Sequence, residues 1–298
     1  MTNDPPSQSH DIAWSLGTIG FAYADWNGPF YPPGTSGPNR LSHYAQYFNA
    51  VEVDATFHAI PAAKTVQRWG DAVPVGFNFC LKTPREITHS SDAGNLLKPE
   101  TRMHMRQFLA VGSELGDKLS VILIQFPGTC GVDRHDELAE FLSGLPGEHR
   151  YAVELRQDSW WVPRTAELFR ELGVCWVAAD EVKKHEADSP PGLYKPRPIV
   201  PTTDYLYIRW IGWHEQFPDL AREHLNPVNR LAWWDARLNA VLSKRPELNG
   251  VFGFFGNGYS GHAPATCRRF ADVTGVDLER SLGGSSGHDL LFHPACDV

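Results

Sequence analysis

Eight short apolar runs, each closing on one or two polar or charged residues, recur along nearly the whole 298-residue chain. They occupy residues 14–20, 50–56, 76–82, 119–126, 150–156, 173–180, 204–212 and 251–257. Most of the gaps between them carry apolar residues at three-to-four spacing, the mark of an amphipathic helix: 41–48, 64–73, 102–115, 135–145, 164–172 and 227–244, with 263–274 after the last run. Strands alternating with helices through right-handed crossovers close an eight-stranded parallel barrel in roughly 250 residues, which fits the length available. The expected fold is therefore α/β, a TIM-like (β/α)8 barrel forming a single domain over 14–275, with flexible tails at 1–13 and 276–298. A doubly wound open sheet is the competing architecture, but it wants a glycine-rich phosphate loop after the first strand, and Gly17, Gly20 and Gly28 lack that spacing. Only the sixth gap departs from the alternation. Asp188-Ser189-Pro190-Pro191-Gly192, with Pro196, Pro198 and Pro201, cannot sustain a helix and predicts a long irregular loop.

Composition narrows the classes. A net charge of −8 and a pI near 5.9 argue against a general nucleic-acid coat protein, which needs a lysine- and arginine-rich surface. No apolar run approaches the roughly 20 residues that span a bilayer, and residues 1–10 show no basic-then-apolar leader, so a cytoplasmic location and no membrane partner are expected. Five cysteines, with no Cys-x-x-Cys pair, suggest reduced thiols rather than disulfides or a cysteine zinc site.

Side-chain direction sharpens the reading, because residues two apart on a strand share a face. In the second run Val51, Val53 and Ala55 suit the helix-facing side, leaving Glu52, Asp54 and Thr56 to face into the barrel near its C-terminal mouth. The same alternation sends Asn78 and Lys82, and Glu154 and Arg156, inward, and Gln125, Asp180, Tyr207, Arg209 and Asn257 are assigned to the same mouth. One outcome is a closed salt-bridge network of Glu52, Lys82, Glu154, Arg156 and Arg209 that merely plugs the barrel. The other is a polar pocket in which Lys82, Arg85, Arg156 and Arg209 hold an anionic group and the carboxylates do acid–base work. Lys82 is also a candidate Schiff-base amine.

Several blocks of residues carry a resemblance. Gly17-Thr18-Ile19-Gly20-Phe21-Ala22-Tyr23, Trp26-Asn27-Gly28-Pro29-Phe30-Tyr31-Pro32 and Glu52-Val53-Asp54-Ala55-Thr56-Phe57-His58 come first. Lys82-Thr83-Pro84-Arg85-Glu86-Ile87-Thr88-His89, Gln125-Phe126-Pro127, Val153-Glu154-Leu155-Arg156, Tyr207-Ile208-Arg209-Trp210 and Phe255-Gly256-Asn257 follow. Together, and in this order, they resemble the domain of unknown function 72 (YecE-like) family over most of the chain. The resemblance implies a TIM-like barrel of unassigned reaction, whose likeness to the sugar-isomerase and endonuclease IV group suggests metal-assisted isomerisation or binding to nucleic acid. The chain departs from the family pattern at Phe21, Asp54 and His58, where Trp, Asn and Tyr are common, and Asp54 and His58 add ligand or acid–base capacity.

A divalent metal is thus a candidate cofactor, with Glu52, Asp54, His58, His89, Glu154 and Asp180 as candidate ligands, although no His-Glu-x-x-His motif is present. Aromatics on the mouth loops, among them Tyr23, Trp26, Phe30, Tyr31, Trp160, Trp161, Trp213 and Tyr259, either stack a planar ligand or pack the loops on one another. The resulting expectation is an enzyme acting on an anionic or carbohydrate-like small molecule. Glu52, Asp54, His89 and Glu154 are the catalytic candidates, and Tyr23, Lys82, Trp26, Arg85, Gln125, Arg156, Trp160, Arg209 and Asn257 the binding candidates. A nucleic-acid-binding or repair-related protein is the alternative, and a non-catalytic sensor a third.

Overall fold

A computed structural model describes residues 12–89, 96–181, 197–213 and 217–278. Nine parallel strands form one sheet: β1 (Ala13–Ile19), β2 (Ala50–Val53), β3 (Asn78–Lys82), β4 (Leu119–Phe126), β5 (Tyr151–Leu155), β6 (Cys175–Trp176), β7 (Ala178–Asp180), β8 (Tyr205–Trp210) and β9 (Gly250–Phe255). Their spatial order is β6-β5-β4-β3-β2-β1-β9-β8-β7, so neighbours in sequence are neighbours in space and β1 joins β9 from Ala13↔Gly250 to Thr18↔Phe255. The predicted eight strand positions are all present, but the sixth is broken in two. Its first half pairs with β5 and its second with β8, while Val177 between them donates its N–H to the Val153 carbonyl at 3.0 Å. The result is a nearly closed barrel with a seam at the sixth position.

The helices are α1 (Gly37–Tyr44), α2 (Ala63–Asp71), α3 (Arg85–Thr88), α4 (Pro99–Gly112), α5 (His135–Ser143), α6 (Pro163–Glu171), α7 (Val228–Leu242) and α8 (Ala263–Thr274). Four of them, α1, α4, α6 and α8, carry proline in the first turn, where a missing N–H costs nothing. That is why α1 and α4 start earlier than their apolar spacing indicates. The four-residue α3 is too short for any periodicity to reveal. In the sixth gap residues 197–204 contain neither helix nor strand; the remainder of the expected loop, and most of both expected tails, lie outside the described residues.

Strand alternation divides the core into two layers. Val51, Val53, Phe79, Leu81, Ile122, Ile124, Val153 and Leu155 pack outward with the helices. Ala50, Cys80, Val121, Leu123, Ala152, Val177, Tyr207, Phe252 and Phe254 fill the barrel below the mouth. Each large apolar side chain buried this way contributes about 1.5–3 kcal/mol. A close approach is built in at Gly17, where a Cβ would lie 1.9 Å from the Ala50 carbonyl oxygen. Among the described residues no helix is long and apolar enough to cross a membrane, and Cys80, Cys130, Cys175 and Cys267 are free and buried.

Candidate active site

Above the apolar filling lies a layer of charge. Glu52 at the end of β2 is 0% exposed, Glu154 on β5 is 2% and Arg209 on β8 is 3%. Isolated ions at such depth cost several kcal/mol each, so pairing is obligatory. Arg209 supplies it by reaching both carboxylates. Its Nε and Nη2 donate to Glu52 Oε2 and Oε1 at 2.9 and 2.7 Å, in a fork that only guanidinium offers, and its Nη1 donates to Glu154 Oε2. The Tyr207 hydroxyl donates to Glu52 Oε2 at 2.9 Å. Arg156, one residue past β5, donates from Nε to Glu154 Oε1 at 2.7 Å and sets Nη1 3.3 Å from Glu181 Oε1. Burial alone would raise the Glu154 carboxyl, but Arg209 and Arg156 outweigh it and hold the group down at about 2.

Lys82, at the end of β3, stands apart from this network. Its Nζ lies 4.0 Å from the centre of the Phe57 ring and makes no hydrogen bond or ion pair among the described residues. The carboxylates that would neutralise it are held by arginines. Burial and the positive charge of Arg209 lower its ammonium from 10.5 to about 8. Phe57 bridges to His89, edge-on at 4.9 Å between ring centres. Thr88 Oγ1 lies 2.8 Å from His89 Nδ1, and Gln125 Nε2 lies 3.4 Å from His89 Nε2. Burial first, then Lys82, Arg156 and Arg85, bring His89 down to about 4, so the ring is neutral near pH 7. A neutral imidazole of this kind can accept a proton or a hydrogen bond. On the neighbouring side of the mouth the Asp54 carboxylate makes no hydrogen bond or ion pair among the described residues. It lies beside Gly20, whose φ of 73° and crowded Cβ position, 3.0 Å from Asp54 Oδ1, suit glycine. Tyr23 donates to the Ile19 carbonyl at 3.0 Å, and burial, then Asp54 and Glu52, push its phenol up.

Several expected site residues do other work. Asp180 faces out of the barrel, not into the mouth: α7 grips its carboxylate with Arg230 Nε at 2.9 Å and Trp234 Nε1 at 2.7 Å. Trp26 and Trp160 have no exposed surface; Trp26 donates to Asn257 Oδ1 at 3.2 Å and Trp160 to the Cys130 carbonyl at 2.6 Å. Asn257 Oδ1 also accepts from the Ala263 N–H at 3.0 Å, tying α8 to the first mouth loop. Tyr31 is likewise fully buried, so packing is what these aromatics do in this state. Arg85 is exposed at the start of α3, and His58 is exposed too. The candidate metal ligands do not come together: arginines occupy Glu52 and Glu154, Asp180 faces the other way, and among the described residues no three His, Cys, Asp or Glu side chains form a metal-binding group. Among the described residues, these candidate ligands do not fit a divalent ion.

The model of the family described as "Protein of unknown function DUF72" matches residues 15–286. The chain belongs to the DUF72 family. Among curated relatives it is 33% identical over 156 residues to the UPF0759 protein YecE of Escherichia coli (strain K12), a match covering 51% of this chain and 56% of that one. It is 25% identical over 269 residues to the UPF0759 protein YunF of Bacillus subtilis (strain 168), covering 84% and 91%. The YecE match thus spans a little over half of that relative's length. A DUF72 family crystal structure from Thermotoga maritima superposes with a TM-score of 0.67 at 27% identity, covering 87% of this chain and 98% of that one. One from Enterococcus faecalis gives 0.67 at 23% identity over 90% and 100%, a likeness of fold alone. Within this DUF72 chain, sequence reasoning passed over Phe57 and Glu181. Phe57 lies in the Thr56-Phe57-His58 block, but nothing in strand alternation signals that a loop aromatic lies under a lysine.

Proposed function

We propose that this DUF72 chain is an enzyme acting on a small anionic, carbohydrate-like molecule at the C-terminal mouth of the barrel, by acid–base chemistry that Lys82 and His89 carry. The observation that carries the reading is the Lys82 ammonium. It is half-buried and has no carboxylate, carbonyl or hydroxyl partner among the described residues, whereas the cations beside it are paired. A desolvated cation left open at the mouth is a ready place for a ligand's phosphate or carboxylate. Glu52 and Glu154 are read as the fixed base of the site. Each is committed to arginine, and Glu154 stays ionised down to acidic pH, which suits orienting Arg156 and Arg209 rather than donating protons. Asp54, which has no hydrogen bond or ion pair among the described residues, adds a third group for proton transfer beside Lys82 and His89.

The test is thermal denaturation with inorganic phosphate, glucose 6-phosphate and a single-stranded oligonucleotide, for wild type and Lys82→Met. A phosphate-bearing small molecule at 100 times its Kd stabilises by about 2.7 kcal/mol. That stabilisation is expected in wild type and absent in the variant. Stabilisation by the oligonucleotide alone, with steep salt dependence, would favour the nucleic-acid reading instead.

A further inference from the structure

We propose that Lys82 is an imine-forming amine, whose Nζ attacks the carbonyl carbon of an aldehyde or ketone that also carries an anionic group. The inference rests on the reading above that the mouth receives a small anion, and it adds the reactive group that anion brings.

The geometry leaves this lysine unusually uncommitted. Lys118, by contrast, donates to the Gly70 and Val73 carbonyls at 2.6 and 2.9 Å, with its hydrogens and its charge engaged. The Lys82 Nζ sits over the face of Phe57, which steadies the cation but accepts no directed hydrogen bond. The Nζ lone pair, once the proton leaves, is therefore aimed at no protein group among those described. Burial disfavours the Lys82 proton most, and Arg209 adds to it; Glu154 and Glu52 pull the other way, but each is already bound by an arginine and gives Lys82 no hydrogen bond. With an ammonium at about 8, roughly a tenth of Lys82 is free amine at pH 7, roughly 300-fold more than an ordinary lysine. Attack forms the N–C bond while the carbonyl π pair moves to oxygen. The proton lost from nitrogen passes to that oxygen, for which the neutral His89 is the near relay. A second proton, drawn from solvent at the open mouth, lets the C–O bond break, and water leaves as the iminium forms.

Arg156 indicates the substrate class. Its Nε is bound to Glu154 and its Nη1 faces Glu181, while Nη2 makes no hydrogen bond among the described residues. A carboxylate or phosphate one or two carbons from the carbonyl suits an anchor of this kind beside a reactive amine. A short keto acid or a sugar phosphate in its open-chain form has that layout.

The decisive measurement is reductive trapping at pH 7.5 with glyoxylate and, separately, glyceraldehyde 3-phosphate, in sodium cyanoborohydride, read by intact mass and peptide mapping. The chain has eight lysines. A single adduct on Lys82, at least tenfold over any other lysine, is expected, with a rate half-maximal near pH 8 and level above about pH 9. Lys82→Arg keeps the charge; it is expected to retain phosphate-induced thermal stabilisation and lose trapping. Wild type that gains stability from phosphate yet gives adducts spread over several lysines overturns the imine while leaving anion binding intact. Wild type that neither traps nor gains stability overturns both.

Discussion

Lys82 makes the protein's stability depend on pH in a direction opposite to most ion-paired groups. Its ammonium is at about 8 in the folded state and 10.5 ordinarily, so below pH 8 the fold carries a charge it holds poorly, and above 10.5 neither state carries it. Unfolding free energy from this group therefore rises between pH 8 and 10.5. Lys82→Met should stabilise the fold at pH 7, and guanidinium titrations should show that gain fading toward pH 10.5. An equal gain at both pH values would assign it to packing instead. Glu154 runs the other way. Held at about 2 against 4.5, it lends stability that is full above pH 4.5 and lost as pH falls toward 2. Glu154→Gln should lower stability at pH 7 and flatten the acid limb of the unfolding profile across that window. Glu52, Lys82, Glu154, Arg156 and Arg209 were legible from sequence because strand alternation is strict where one face packs on helices. Which arginine takes which carboxylate was not, because that depends on how far side chains reach across the barrel.

At the level of elements, the sixth strand is the instructive one. Cys175 and Val177 face the interior, and Trp176 and Ala178 the helices, so a count by twos sends Asp180 outward as well. The alternation of Cys175, Trp176, Val177 and Ala178 carries that direction, and it overrides the general tendency of a charge at a strand end to face the mouth. Its partners sit four residues apart on one face of α7, Arg230 and Trp234, which no strand pattern reveals. Asp180→Ala should cost about 1.5–3 kcal/mol, the range for hydrogen bonds to a charged group, without changing the trapping chemistry at Lys82. The break between β6 and β7 leaves each piece with one registered strand neighbour, so their amides should exchange with solvent sooner than those of β3 and β4. Hydrogen-exchange mass spectrometry of residues 174–180 reads this directly. Protection equal to that of β4 would mean the seam is no weaker than the rest of the wall.

For the molecule as a whole, the eightfold spacing of apolar runs was enough to read the barrel, because the alternation must repeat in every strand-helix unit for the sheet to close. Arg209 adds cohesion of a kind the spacing does not carry, since it joins β8 to β2 and β5 from within. Arg209→Met should cost about 3–5 kcal/mol, seen as a lower denaturation midpoint, because it leaves two buried carboxylates without their cation. Closure itself falls to the β1–β9 seam, which unites Ala13 with Gly250. A ribosome adding about 5–20 residues per second needs roughly 10–50 s to travel between those two positions. Throughout that interval one edge of the first strand waits for a partner not yet made, and the newborn chain must be shielded or slow to associate until its last strand arrives.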